Sequence, residues 1–123
     1  MGKEMENLNI LFVFFGGAFG ALLRFEVSQL WNGKTPFPLG TFLANITGGI
    51  LLGMLIKFYE GTGFSESIWL LSATGFCGGY TTYSTFSFEV FQLLKQRKWK
   101  EALLYLSTSI LMTIFTIWLI FQL

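Results

Sequence analysis

A chain of 123 residues that is 53% hydrophobic and only 12% charged, with a mean hydropathy of +0.60, has too few charges to wet its own surface; a soluble domain carries roughly 25%. A net charge of +1 gives no electrostatic reason to bind nucleic acid. With no histidine and one cysteine, Cys77, there is no disulfide framework and no Cys/His metal site, and zinc enzymes, Ser-His-Asp hydrolases and haem proteins are not expected.

The chain opens on MGKEMEN, polar and mixed in charge. No small-x-small cleavage site closes the apolar run that follows, so a cleaved leader is not expected, and Met1-Gly2 lacks the Ser/Thr of a myristoylation signal. A bilayer core about 30 Å thick needs about 20 apolar residues per helical span. Four stretches qualify, at about 8–31, 39–58, 67–94 and 102–123. Barrel-type alternation is absent, so the expected fold is an all-α membrane protein of four transmembrane helices, one domain over 1–123. The connections are short: WNGKTPFP, whose prolines stop a helix, then YEGTGFSE, then KQRKWK. Gly16 and Gly20, Gly17 and Ala21, and Gly49 and Gly53 are spaced four apart, the small-xxx-small pattern of close helix packing. Four thin helices hardly enclose a dry path alone, so an oligomer is expected.

With four spans, the N-terminus and second loop share Lys3 and Lys57, while the first and third loops share Arg24, Lys34, Lys95, Arg97, Lys98 and Lys100. Two against six places the first and third loops in the cytoplasm and both termini outside. The basic third loop reads as a topology signal or as a contact for anionic headgroups.

Polar side chains survive inside the spans despite their cost. Asn45 lies in the second span near Thr41 and Thr47; the third holds Thr81, Thr82, Ser84, Thr85, Ser87 and Glu89; the fourth holds Ser107, Thr108, Ser109, Thr113 and Thr116. Taken singly, each hydroxyl would bond its own backbone; stripes on three spans suggest a shared hydrophilic path. A cation path calls for central carboxylates, and only Glu89 is present, near one end of its span. An anion path can use neutral donors: the Asn45 amide, hydroxyls, and the positive edges of Tyr83 and Phe86, three residues apart. In GFCGGYTTYSTFSFE, residues 75–89, the adjacent Gly78 and Gly79 should break the third helix at its middle. The freed carbonyls mark either a packing kink or a site for a hard cation.

Three motifs, GGAFGALLRF at 16–25, PLGTFLANITGGILLG at 38–53 and GFCGGYTTYSTFSFE at 75–89, make the chain resemble the small fluoride channels of the Fluc, or CrcB, family over nearly its whole length. The resemblance implies a multi-pass protein of a bacterial cell membrane, an antiparallel dual-topology dimer, and two fluoride paths built from both subunits. It implies a structural Na⁺ at the dimer centre, held by the backbone carbonyls of Gly78 and Thr81. It places Asn45, Tyr83, Ser84, Thr85, Phe86, Ser87 and Thr113 along the fluoride path, Arg24 near the pore entrance, and Glu89 at the motif's acidic position. Tyr83 stands where the family motif has Phe. The unbalanced Lys/Arg distribution suits a fixed orientation and an oppositely oriented paralogue as partner. Two rivals remain: a four-helix multidrug exporter, for which the first span lacks a central acid since Glu26 lies near its end, and a structural subunit with no path of its own. No nucleophile–base pair suggests an enzyme.

Overall fold

The structure, a computed structural model, describes residues 2–62 and 65–123; Gly63 and Phe64 of the second predicted connection lie outside the described residues. Six α-helices follow in order: α1 (Gly2–Trp31), α2 (Leu39–Thr62), α3 (Glu66–Trp69), α4 (Gly78–Tyr80), α5 (Ser84–Lys95) and α6 (Trp99–Gln122), with a π-helical segment, Leu70–Cys77, between α3 and α4. Among the described residues there is no strand. Among the described residues three helices are long and apolar enough to cross a membrane: α1, the Leu39–Tyr59 part of α2, and α6. The stretch predicted as one span over 67–94 is divided among α3, the π-helical segment, α4 and α5. α1 begins at Gly2, ahead of the apolar span expected from about residue 8; Lys and Glu are good helix formers and carry the helix beyond its apolar part.

The molecule is apolar on the outside. Phe14, Phe19, Leu103, Leu111, Ile114 and Trp118 are among its exposed large side chains, while the buried set is led by small ones, Ala44, Ala73 and Ala102. This is what lipid selects: burying Leu gains nothing against hydrocarbon, so helices associate where small residues let backbones approach. α1 crosses the π-helical segment and α4 in this way. A Cβ on Gly16 would collide with the carbonyl of Leu71, one on Gly20 with that of Phe76, and one on Gly79 with that of Gly17. On the other side α2 packs along α6, where Gly53 faces Ile120 and Gly49 faces Thr113. The small-xxx-small pairs are packing residues.

A second, conventional cluster ties α5 to α6: Leu93, Ala102 and Tyr105 are buried, with Phe37, Phe42, Phe86 and Val90 against them. Phe37 stacks on Tyr105 at 5.7 Å, and Phe86 meets the same ring at 5.0 Å. Asn32, just past α1, caps α2 from a distance: its Oδ1 accepts from the backbone N–H of Gly40 at 2.7 Å and of Thr41 at 3.2 Å, two donors with no partner inside their own helix.

α5 ends on a Schellman turn. The Arg97 N–H donates to Leu94 O at 3.0 Å and the Lys98 N–H to Leu93 O at 2.9 Å. This turn places Arg97 at φ 59°, a left-handed position usually given to glycine. Arg97→Gly should therefore raise the thermal midpoint in detergent, by about 1 kcal/mol of relieved backbone strain less the entropy glycine adds to the unfolded chain. An unchanged or lower midpoint would show that the Arg97 side chain stabilises the fold by more than its backbone costs.

Candidate functional site

The break in the third predicted span falls after Tyr80, not at the glycine pair. Gly78 and Gly79 are helical, and the chain leaves the helix at Thr81, φ −86° and ψ 158°, to restart at Ser84. The two glycines do different work. Gly79 is the contact point with Gly17, whereas the Cβ position of Gly78 faces open space. The helix stops because its donors are taken elsewhere. The N–H of Thr82, which would close the turn on Gly78, donates to Asn45 Oδ1 at 2.7 Å. The N–H of Thr85, which would close on Thr81, donates to Thr82 Oγ1 at 3.1 Å. The carbonyls of Gly78 and Thr81 are thereby left without their helical partners, in a fold where an unpaired carbonyl is costly.

Two side chains from other helices grip the break. Asn45 of α2 makes a two-way clamp: besides accepting from the Thr82 N–H, its Nδ2 donates to the Thr82 carbonyl at 2.9 Å. Asn is the side chain that can imitate a peptide group in this way, one acceptor and one donor in a plane. Arg24 of α1, half-buried, sends its Nε to the carbonyl of Gly79 at 3.1 Å. It thus satisfies one carbonyl released at the end of α4. Thr81 Oγ1 adds a second donor at 2.7 Å to Cys77 O, which already accepts from the Thr81 N–H at 2.9 Å.

Below the break lies a groove of about 480 Å³ between α2, α5 and α6. Its walls are mainly aliphatic, with Leu52, Ile56, Ile110, Ile114 and Ile117 along its length. Polar groups gather at the break: Asn45, Thr81, Thr82, Ser109 and Thr113. Among the described residues no Asp, Glu, Lys or Arg stands on its wall. Of the residues predicted for an anion path, Asn45, Tyr83, Phe86 and Thr113 line this groove, together with Thr81. Ser84, Thr85 and Ser87 are not on its wall. The Ser84 hydroxyl instead shares a 3.3 Å hydrogen bond with that of Thr82. Tyr83 is 82% exposed, so its ring forms a rim rather than a wall.

The hydroxyls of α6 divide into two kinds. Ser107, Thr108, Thr113 and Thr116 each donate to a carbonyl of their own helix, Thr113 to Ser109 O at 2.7 Å. Ser109 differs: its residue is 9% exposed, it lines the groove, and its Oγ is buried with no hydrogen-bond partner among the described residues. An orphaned buried hydroxyl is rare, and Ser109 shares the groove wall with Asn45, whose Nδ2 has a second hydrogen that the Thr82 carbonyl does not use. In the sequence Ser109 was only one member of a stripe; its being unpartnered depends on which neighbours the fold supplies.

Glu89 sits apart from that groove. Its carboxylate accepts from Thr41 Oγ1 at 3.1 Å and from the Tyr105 hydroxyl at 3.2 Å, and both donors belong to nearly inaccessible residues. It also borders a smaller depression of about 260 Å³ at one end of the molecule, with Asn32, Thr35, Gln92, Gln96 and Lys98. Glu89 therefore ties α2, α5 and α6 together beneath an exposed vestibule. Among the described residues no group of three or more His, Cys, Asp or Glu side chains could hold a metal.

The family model for the CrcB-like protein, Camphor Resistance (CrcB), matches residues 11–121. The chain belongs to the CrcB family. The match takes in the first-span glycines, the Asn45 segment, the break and nearly all of α6. Among similar proteins are fluoride-specific ion channel FluC 1 of Geobacillus kaustophilus, 41% identical over 110 residues, 89% of this chain and 91% of that one. FluC 2 of Bacillus cereus is 45% identical over 83% of this chain and 85% of its own length. FluC 2 of Rhodococcus jostii is 38% identical over 94% and 98%. The alignments of this CrcB chain with these relatives take in 83% to 94% of its length.

Proposed function

We propose that this chain is the subunit of a fluoride channel that lets F⁻ leave the cytoplasm down its gradient. The relatives' names supply the ion; the feature that carries the reading here is a groove with no fixed charge whose polar groups cluster at one helix break. A small anion leaving water needs donors that bind it well enough to enter and weakly enough to leave. The unused Nδ2 hydrogen of Asn45 and the ring edges of Tyr83 and Phe86 are such donors; the buried, unpartnered Ser109 hydroxyl joins them only if its side chain turns toward the groove. The amino end of α5, whose dipole is positive there, opens at the same place. Thr113, its proton committed to Ser109 O, contributes only acceptor lone pairs unless it turns.

The segment 66–95 would make the third of four crossings. Its interruption is tolerated in a membrane because Asn45, Arg24 and Thr82 re-satisfy most of the released backbone groups. The unpaired carbonyls of Gly78 and Thr81 suit a hard cation such as Na⁺, and Gly78 is exposed with open space beside it. These carbonyls fit the role of a structural site shared with a second subunit. A second, antiparallel copy would also supply the missing wall: Tyr83 stands out from the surface, and Ser84, Thr85 and Ser87 need an opposite face to form a track. The setting is a bacterial cell membrane.

The Lys/Arg imbalance supports a heterodimeric form, in which this chain keeps one orientation and pairs with an oppositely oriented paralogue. Fluoride-electrode recordings from liposomes loaded with fluoride test both. Fast efflux with this protein alone is expected for a homodimer; efflux only after mixing with the paralogue would assign the heterodimer. No efflux in either case would overturn the channel reading.

A further inference from the structure

The basic loop that the sequence left as either a topology signal or a lipid contact acquires neighbours in the fold. The depression bordered by Asn32, Pro36, Gln96 and Lys98 places the α1–α2 connection directly beside the α5–α6 connection. That end of the molecule then carries Lys34, Lys95, Arg97, Lys98 and Lys100, all exposed. Glu101 in the first turn of α6 is the nearest acidic neighbour in sequence, and Glu89 is engaged by Thr41 and Tyr105. None of the five cations is salt-bridged among the described residues. The opposite end has Lys3 and Lys57 against Glu4, Glu6, Glu60 and Glu66 in sequence, and the Lys57 Nζ is turned to the Ile120 carbonyl at 3.3 Å. The cationic character is confined to one end.

Two further observations select the partner. Trp31 and Trp99 are 42% and 63% exposed at this same end, and Lys34 lies over the Trp31 ring at 5.2 Å. Tryptophan at a helix end beside lysine is the arrangement that anchors a protein at the headgroup level. The Schellman turn, moreover, carries a long cation, Arg97, at the left-handed position where glycine would be the relaxed choice. That side chain is exposed and has no hydrogen-bond or ion-pair partner among the described residues. We infer that this end is a docking surface for anionic phospholipid headgroups, with Arg97 and Lys98 reaching the phosphates from the α5–α6 turn, Lys34 from the α1–α2 turn, and the two indoles setting depth. Phosphate is matched by guanidinium and ammonium groups, which are attracted to an anionic leaflet; the indoles favour a lipid over free phosphate. The inference does not depend on which ion the chain conducts.

The test uses purified protein in nanodiscs containing phosphatidylcholine and a minority of phosphatidylglycerol, with retained lipid counted by native mass spectrometry. Several-fold enrichment of phosphatidylglycerol is expected, reduced at high salt. It should fall toward the bulk ratio in the combined variant Lys95→Gln, Arg97→Gln, Lys98→Gln and Lys100→Gln, and stay unchanged in Lys3→Gln with Lys57→Gln. Arg97→Gly separates binding from folding, because it should stabilise the fold while lowering the enrichment. Equal lipid ratios in wild type and the combined variant, enrichment lost through Lys3 and Lys57 instead, or displacement of the lipid by inorganic phosphate at equal concentration would each overturn the proposal.

Discussion

Asn45→Asp should slow fluoride efflux at least about tenfold. The carboxylate still accepts from the Thr82 N–H, which Asn45 Oδ1 holds at 2.7 Å. It has no hydrogen for the Thr82 carbonyl, now bonded by Nδ2 at 2.9 Å, so half of the clamp becomes a repulsion. It also places a negative charge on the wall of the groove. Two like unit charges about 4 Å apart, at an effective dielectric near 20, repel by roughly 4 kcal/mol, and each 1.4 kcal/mol is a factor of about ten. Partial protonation of the new acid reduces this, hence the tenfold floor. Asn45→Ala is the companion measurement. It adds no charge but leaves a partly buried peptide unpaired on both sides, at up to about 1–3 kcal/mol for each group. The alanine variant should therefore lose mainly thermal stability and the aspartate variant mainly conduction. Efflux within twofold of wild type in Asn45→Asp would remove Asn45 from the path and leave it only a clamp.

The second large effect is on assembly of the fold. Gly79→Val should abolish a monodisperse species on size exclusion in detergent, whereas Gly78→Ala should leave it intact. A side chain at Gly79 meets the backbone of Gly17, with its Cα and carbonyl carbon both at 2.9 Å from the new Cβ. Backbone atoms of a packed helix cannot turn aside, so α1 and α4 must separate. Overpacking of this kind costs about 1–3 kcal/mol and sometimes more. The separation would also break the Arg24 hydrogen bond to the Gly79 carbonyl. At Gly78 nothing lies within 4 Å of the added carbon, and alanine is the better helix former. The pair thus tests whether the two adjacent glycines have separate roles. A well-behaved Gly79→Val protein would sink the close crossing of α1 and α4.

Much of this chain is legible without coordinates. The three long apolar helices, the small-residue spacing on α1 and α2 and the interruption near residue 80 follow from composition and periodicity alone, because lipid imposes few solutions on an apolar backbone. The motifs at 16–25, 38–53 and 75–89 carry the family. What the sequence could not determine is where hydrogen bonds go. Gly78 and Gly79 suggested a break at themselves, yet it comes at Thr81–Tyr83, because donors on Thr82 and Thr85 are diverted by Asn45 and by the Thr82 hydroxyl. Asn45 was readable as a polar residue facing a path; its grip on one peptide group of another helix was not, since a distance across 37 positions in sequence leaves no local signal. The same holds for Ser109, whose hydroxyl alone in the α6 stripe lacks a partner, and for Glu89, satisfied by Thr41 and Tyr105 from two other helices. Sequence by itself determined which segments are apolar helices, through local pattern and solvent. Tertiary structure alone decided which polar groups are spent on holding the break and which are left without a partner, because that depends on neighbours brought together only by folding.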